Sequence, residues 1–264
     1  MNLLFCIDRR ALGQLAVCLR SIVKNGGAGN YRVFLLHSDL DEGIRENLAR
    51  DFPCMEFQLL PVPRGMFDGF PVTDRYPKQI YYRLAAPLLL PHELDRILYL
   101  DADTLVLNPL KSLYNTDFEG NLFAACTHTR EFLTRLNRLR LRSEKAVCYI
   151  NSGVLLMNLP VLRMVLDIQQ MSCYVRGRKL PLLLPDQDIL TALYGDQVKL
   201  LCAMRYNLSD RVLNSYNAEA GRRKRDIAWV RKYTVIIHYC GRNKPWKSEY
   251  SGMLGVFYDE LFQT

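Results

Sequence analysis

Residues 97–107, Ile-Leu-Tyr-Leu-Asp-Ala-Asp-Thr-Leu-Val-Leu, set two carboxylates, Asp101 and Asp103, against the end of an apolar run. In an extended segment, side chains at i and i+2 point to the same side, so the pair projects together where the run stops. Two carboxylates held close repel unless a proton or a cation sits between them. Taken alone, the pair has two readings: part of a divalent-metal site, or a solvated turn or helix cap, since turns collect Asp for its backbone hydrogen bonds. A second candidate stands far downstream. His238 ends the run Thr-Val-Ile-Ile-His and opens His-Tyr-Cys-Gly-Arg-Asn-Lys-Pro-Trp, residues 238–246. Gly241 permits close backbone approach and Lys244 supplies a point charge, the materials of a loop that faces phosphate. The plainer alternative is a strand-terminal His with one satisfied hydrogen bond.

Strand and helix signals alternate through the first hundred residues. Leu3–Ile7, Val33–His37, Phe57–Pro61 and Arg96–Leu100 read as strands. Between them, Leu12–Asn25 reads as a helix with Leu15, Cys18, Leu19 and Ile22 on one face, broken by Gly26-Gly27-Ala28-Gly29-Asn30. Ser38 to Glu42 supply capping chemistry for a second helix through Arg50, and Gln79–Leu89 reads as a third. Repeated βαβ units predict a mostly parallel sheet covered by helices. In such sheets a ligand sits beyond the carboxyl ends of the strands, so Asp8, after the first strand, and Asp101, after the fourth, face one crevice. After Asp103 the pattern changes. Leu122–Cys126, Val154–Met157, Val198–Leu201 and Val235–Tyr239 read as strands. The basic segment 130–145 and the amphipathic Val161–Val175 read as helical, and Pro185-Asp186-Gln187-Asp188 opens a helix through Tyr194. On spacing alone, Asp186 and Gln187 read as helix N-cap residues.

No G-x-G-x-x-G follows the first strand and no G-x-x-x-x-G-K-[ST] occurs, which argues against dinucleotide oxidoreductases and P-loop enzymes. With 264 residues, 49% of them hydrophobic and 23% charged, and with neither an internal repeat nor a low-complexity linker, the chain reads as a single globular domain. Its longest apolar stretches, such as Leu84–Leu90, contain Pro87 and fall far short of a bilayer span. The N-terminal Leu3-Leu4-Phe5-Cys6-Ile7 lacks a basic leader and reads as a first strand, so a cytoplasmic location is expected. Among the eight cysteines none forms C-x-x-C. Cys6, Cys18, Cys126, Cys202 and Cys240 lie within or beside apolar segments and are expected to be reduced, buried thiols. The net charge of +8 is clustered. Arg130, Arg135, Arg138, Arg140, Arg142 and Lys145 crowd one segment, and Arg222-Arg223-Lys224-Arg225 another; such clusters attract phosphates or simply form solvated faces.

Taken together and in order, four blocks resemble the retaining glycosyltransferases of family eight, which include bacterial lipopolysaccharide galactosyl- and glucosyltransferases and glycogenin. They are Leu-Tyr-Leu-Asp-Ala-Asp (98–103), Asn-Ser-Gly-Val-Leu-Leu-Met-Asn (151–158), Asp186-Gln187-Asp188, and His238…Gly241…Lys244-Pro245-Trp246. The resemblance runs collinearly from Phe5 to about Leu261. It implies an α/β GT-A fold, with a Rossmann-like, mostly parallel sheet flanked by helices and an elaborated acceptor-side region. Residues 1–103 would form the nucleotide-sugar half, and 104–264 the acceptor-side half with a His-containing closing loop. It further implies a UDP-sugar donor, UDP-glucose or UDP-galactose, and a divalent cation, usually manganese, with magnesium as the alternative. By this resemblance Asp101 and Asp103, with Ala102 between them, and His238 hold the cation, and diphosphate oxygens complete the shell. Carboxylates plus one imidazole suit Mn²⁺. The same resemblance places Lys244 and Gly241 at the diphosphate, Asp8 near the uracil, Arg83 at the donor sugar and diphosphate, and Asn151 and Gly153 at the sugar. Asp186 and Gln187 fall beside the sugar hydroxyls and the anomeric carbon.

The chain departs from the family pattern in places. Arg9-Arg10-Ala11 stand where relatives often carry an aromatic that stacks on uracil, and Ala11 cannot stack. His128 lies where a family acid often contacts the acceptor. The sequence stops soon after Leu261, where many relatives continue into a basic membrane-attaching tail. The basic 130–145 segment falls on the acceptor side, which predicts an anionic glycan or glycolipid acceptor or peripheral contact with the inner membrane face. Two other functions fit less well. A sugar-1-phosphate nucleotidyltransferase would need a glycine-rich basic loop after the first strand, whereas Asp8-Arg9-Arg10-Ala11-Leu12-Gly13 has one Gly. A basic nucleic-acid-binding module would account for the charge but not for the acid pair with His238.

Overall fold

The computed structural model describes residues 1–129, 131–178 and 180–262. Among these the strands are β1 (Asn2–Cys6), β2 (Tyr31–His37), β3 (Met55–Pro61), β4 (Arg96–Leu100), β5 (Thr104–Val106), β6 (Phe123–Cys126), β7 (Asn151–Asn158), β8 (Val198–Leu201) and β9 (Ile236–His238). Seven of them form one sheet in the order β3-β2-β1-β4-β7-β6-β8, and β5 pairs with β9 in a separate ribbon. β3, β2, β1 and β4 run parallel, as the alternation of strands and helices predicts. Leu3 and Phe5 pack on one face with Val33, Leu35, Leu98 and Leu100. Leu4 packs on the other with Phe34, Leu36, Ile97 and Tyr99. Burial of both faces is why these strands read as continuous apolar runs. The helix Leu12–Asn25 covers the first face through Leu15, Cys18, Leu19 and Ile22, and the helix Tyr82–Leu89 covers the second.

β7 reverses the sheet direction, running antiparallel to both β4 and β6. Its N-terminal end therefore lies beside the C-terminal end of β4, and the Asp101 N–H donates to the Gly153 carbonyl at 2.8 Å. The ribbon then supplies the third component of the site. β5, which carries no apolar alternation of its own, pairs antiparallel with β9 in a register that sets Thr104 opposite His238. The Tyr239 N–H donates to the Asp103 carbonyl at 3.0 Å and extends the pairing.

Several sequence expectations need correction. The segment expected to form one amphipathic helix over Val161–Val175 is two, Leu159–Val165 and Ile168–Arg176, because Asp167 leaves helical geometry and caps the second by accepting from the Gln169 N–H at 2.7 Å. Residues 78–81 form a 3₁₀ turn before the helix Tyr82–Leu89. The helix in the basic segment spans Glu131–Leu141 and stops there, with Arg142 at φ 49° in the left-handed region. Arg142 and Lys145 therefore do not share a helical surface with Arg135 and Arg138. Arg140 turns inward, and Arg130 lies outside the described residues. Cys202 is exposed rather than buried, as are Cys54 and Cys173, and the cysteines are unbridged. Among the described residues no helix is long and apolar enough to cross a membrane.

Candidate active site

A cleft of about 840 Å³ opens where the C-terminal ends of β1 and β4 meet the start of β7 and the end of β9. It gathers Asp8, Arg83, Asp101, Ala102, Asp103, Asn151, Gly153, Asp186, Gln187, His238, Gly241 and Lys244, so every site residue expected from the sequence lines one cavity. A second groove of about 810 Å³ lies around Trp229 and Tyr233, and no acid lines it.

Asp101, Asp103 and His238 offer ligand atoms that lie within 4.8 Å of one another. His238 Nε2 is 3.5 Å from Asp101 Oδ2 and 3.2 Å from Asp103 Oδ1. Asp103 Oδ1 is buried and accepts no well-aligned hydrogen bond, and the Lys244 ammonium pairs with the other Asp103 oxygen. An ionised oxygen left short of donors fits a place for a cation. Two carboxylates and one imidazole suit Mn²⁺, and Mg²⁺ through the carboxylates.

The charges around this cluster are matched. Burial alone would raise the pKa of Asp101, but the Arg83 guanidinium and then His238 outweigh it and hold the carboxyl well below the usual range. Burial would likewise raise Asp103, and His238 and Lys244 reverse it. Burial disfavours an imidazolium at His238, yet Asp103, then Cys240 and the close approach of both carboxylates to Nε2, push its pKa up to about 10.

Arg83 is only 7% exposed, although it lies on the helix Tyr82–Leu89. Its Nη1 donates to the Ser152 carbonyl at 2.8 Å, its Nη2 is 3.0 Å from Asp101 Oδ1, and its guanidinium lies 4.4 Å over the Tyr99 ring. Tyr99 donates to the same Asp101 oxygen. Asp186 accepts from the Ser152 hydroxyl at 2.6 Å and lies 3.4 Å from Arg83 Nε. It sits in the first turn of the helix Pro185–Tyr194, but Leu184 is the N-cap, so the Asp186 carboxylate is turned to Ser152 and Arg83 instead of capping. Burial raises the Asp186 pKa, opposed by Arg83 and the Ser152 hydrogen bond. Gln187 follows at the cleft wall, half-buried. Asp8 holds Arg10 through its carboxylate at 2.8 Å, and Gly241 takes φ 97°, a conformation that favours glycine.

The sequence model of glycosyl transferase family 8 matches residues 2–250. The chain belongs to that family. It is 29% identical, over 95% of its length and 74% of the relative's, to a Haemophilus influenzae protein named only as a glycosyltransferase. It is 23% identical to the lipopolysaccharide 1,2-glucosyltransferase of Escherichia coli K12, over 93% of this chain and 72% of the relative. Among solved structures it superposes on the galactosyltransferase LgtC in complex with donor and acceptor sugar analogs. That comparison has a TM-score of 0.80 and 27% identity, over 99% of this chain and 95% of that one. LgtC has also been solved as an active-site mutant with glutamate in place of a glutamine, at a TM-score of 0.81 and 27% identity over 100% and 95% of the two chains. The family 8 chain described here is thus a glycosyltransferase of GT-A architecture.

Four groups that line or support this cleft give little signal in the sequence. The three residues of β5 are too few to carry a periodicity. Ser152 and Tyr99 stand out only as parts of motifs. Asn207 gave no signal at all, yet it is fully buried and hydrogen-bonded to both His238 and Asn151. Gly153 does have a steric signal. A Cβ there would overlap His238 Cε1 and fall 2.7 Å from Asp101 Oδ2. Gly153→Ala is therefore expected to push His238 off the acid pair and weaken Mn²⁺ binding at least about tenfold while β7 stays paired. Titration of the folded variant with Mn²⁺ checks this; parental affinity would mean that the site has room the geometry denies it.

Proposed function

We propose that this family 8 chain moves a hexose, glucose or galactose, from a UDP-sugar to a glycan or glycolipid acceptor, with retention of anomeric configuration. The observation that carries the reading is the meeting of Asp101, Asp103 and His238 in one cleft with Arg83, Asp186 and Gln187. A divalent cation on the first three, Mn²⁺ or Mg²⁺, would draw charge from the departing UDP. Arg83 is a permanently charged group fixed from several sides, placed to meet the donor diphosphate or sugar without reorganising. Lys244 already pairs with Asp103 and is the mobile cation of the set, suited to pair with a diphosphate when one arrives. Asp186, held by Ser152 and Arg83, orients sugar hydroxyls, and Asn151 and Gly153 form the wall beneath the sugar. We place Gln187 nearest the anomeric carbon. An amide is a weak nucleophile, so front-face displacement assisted by the leaving diphosphate accounts for retention better than a stable covalent intermediate. The chain is read as one domain, since the main sheet takes β7 from the second half next to β4 from the first.

The test is a panel of UDP-sugars with Mn²⁺, reading released UDP, heat-stability shifts and the anomeric proton of the product. An α-linked UDP-hexose is expected to give an α-linked product. A β-linked product, or UDP release unchanged by EDTA, would overturn the mechanism.

The acceptor is proposed to be anionic, a phosphorylated glycolipid or a saccharide near a membrane surface. The helix Glu131–Leu141 begins next to Thr129 at the cleft and exposes Leu133, Leu136 and Leu139 among Arg135 and Arg138. Arg138 pairs with Glu144, and Arg140 is turned onto the buried Asp188, so the positive face is smaller than the sequence count suggests. Reversing Arg135, Arg138 and Arg142 to Glu is expected to raise KM for an anionic acceptor at least about fivefold at low salt, with donor hydrolysis untouched. Equal KM changes for anionic and neutral acceptors would return this face to plain solvent.

A further inference from the structure

We infer that Asn207 is a positioning residue that fixes which nitrogen of His238 faces the two acids. The inference rests on the cation reading above but concerns a residue outside the cation-holding set. A backbone N–H can only donate, and that of Gly153 points at the Asn151 side chain at 3.1 Å, so the Asn151 atom there is Oδ1. The same Oδ1 is 3.0 Å from one terminal atom of Asn207, which must then be the donor, Nδ2. The remaining Asn207 atom is the acceptor Oδ1, and it faces His238 Nδ1 at 3.0 Å. His238 Nδ1 must therefore carry a proton, and Nε2, which faces Asp101 and Asp103, is the nitrogen left to give a lone pair to a cation held between them. Donation thus runs from His238 Nδ1 to Asn207 and from Asn207 to Asn151 Oδ1, which also accepts from the Gly153 N–H.

The fold makes the relay rigid. Asn207 and His238 are 0% and 3% exposed, so no water competes for their hydrogen bonds. The Leu208 N–H donates to the Ile236 carbonyl at 3.0 Å, and the His238 N–H donates to the Leu208 carbonyl at 2.7 Å, which clamps the chain after Asn207 alongside β9. The Asn207 carbonyl also holds His128 Nε2 at 2.7 Å. A metal-ligating imidazole needs its other ring nitrogen held in this way, and loss of such a partner typically costs about 10–100-fold in metal affinity.

The decisive experiment combines Mn²⁺ titration by electron paramagnetic resonance with histidine ¹⁵N–¹H correlation spectra of the Mg²⁺-loaded protein, made simple by a chain with 4 His. The parent is expected to show His238 protonated on Nδ1. Asn207→Ala should weaken Mn²⁺ binding by about 10–100-fold and release that tautomer. Asn207→Asp keeps an acceptor opposite Nδ1 and should retain the tautomer even if Asn207→Ala does not fold. A merely structural asparagine would change melting in both variants alike and leave the tautomer unmoved. Parental His238 without a proton on Nδ1, loss of the Nδ1–H signal in Asn207→Asp, or Mn²⁺ affinity of folded Asn207→Ala within about twofold of the parent would each overturn the role of Asn207. A parent that binds no Mn²⁺ would overturn the cation reading and this inference together, which separates the two failures.

Discussion

Asp103→Ala is expected to leave a folded protein whose Mn²⁺-dependent sugar transfer is lower by about three orders of magnitude or more. Asp103 is the acid with the least internal support. Its Oδ1 accepts no well-aligned hydrogen bond, whereas both Tyr99 and Arg83 hold Asp101 Oδ1. The backbone around Asp103 does not depend on the carboxylate, because the ribbon hydrogen bond uses its carbonyl, which accepts from the Tyr239 N–H. Alanine therefore removes charge and ligand but no ladder contact. The truncation leaves the cations Lys244 and His238 short of a counter-charge, so a modest fall in stability of the metal-free protein accompanies the loss of activity. Far-ultraviolet circular dichroism, Mn²⁺ titration and initial rates with and without EDTA check the expectation. Full activity in the variant, together with indifference to EDTA, would sink the cation reading.

The largest effect on stability is expected at Arg140, a residue that composition alone assigns to a basic surface. Arg140 makes two parallel hydrogen bonds to Asp188, at 2.7 and 2.6 Å, and Asp188 is fully buried. The same carboxylate accepts from the Tyr149 hydroxyl at 2.8 Å and from the backbone N–H of Leu183 and Leu184. Removing one partner of a buried pair leaves an uncompensated charge and typically costs about 3–5 kcal/mol. Arg140→Ala is therefore expected to lower Tm by roughly 6–15 °C. Arg142→Ala, on the exposed left-handed residue just past the same helix, should stay within about 0.5 kcal/mol of the parent. Activity should fall with Arg140 as well, because Asp188 anchors the start of the helix that presents Asp186 and Gln187. Matching melting curves for the two variants would show that the bidentate pair carries no stability.

The parallel half of the fold was open to reading from the chain alone. β1, β2 and β4 are apolar on both faces, the helix Leu12–Asn25 carries a buried stripe and the helix Glu42–Asp51 an Asp41 cap, and there local preference agrees with tertiary packing. The chemistry of the site was equally open, since acids at a strand end and a His-Gly-Lys loop are recognisable as residue types in order. Distance was not. Asp103 and His238 are separated by more than half the chain, and only the pairing of Thr104 with His238, in a ribbon too short to show a period, sets them side by side. Direction was hidden too. That β7 runs against β4, bringing Gly153 to Asp101, depends on where its connections cross the sheet, which no local pattern encodes. The roles of charged residues were decided last. Arg83, Arg138, Arg140 and Arg142 are one residue type, yet one is buried at the site, one pairs with a surface acid, one anchors a buried carboxylate and one faces solvent. A charge is placed by the partner it meets and the water it loses, and both exist only once the chain has folded.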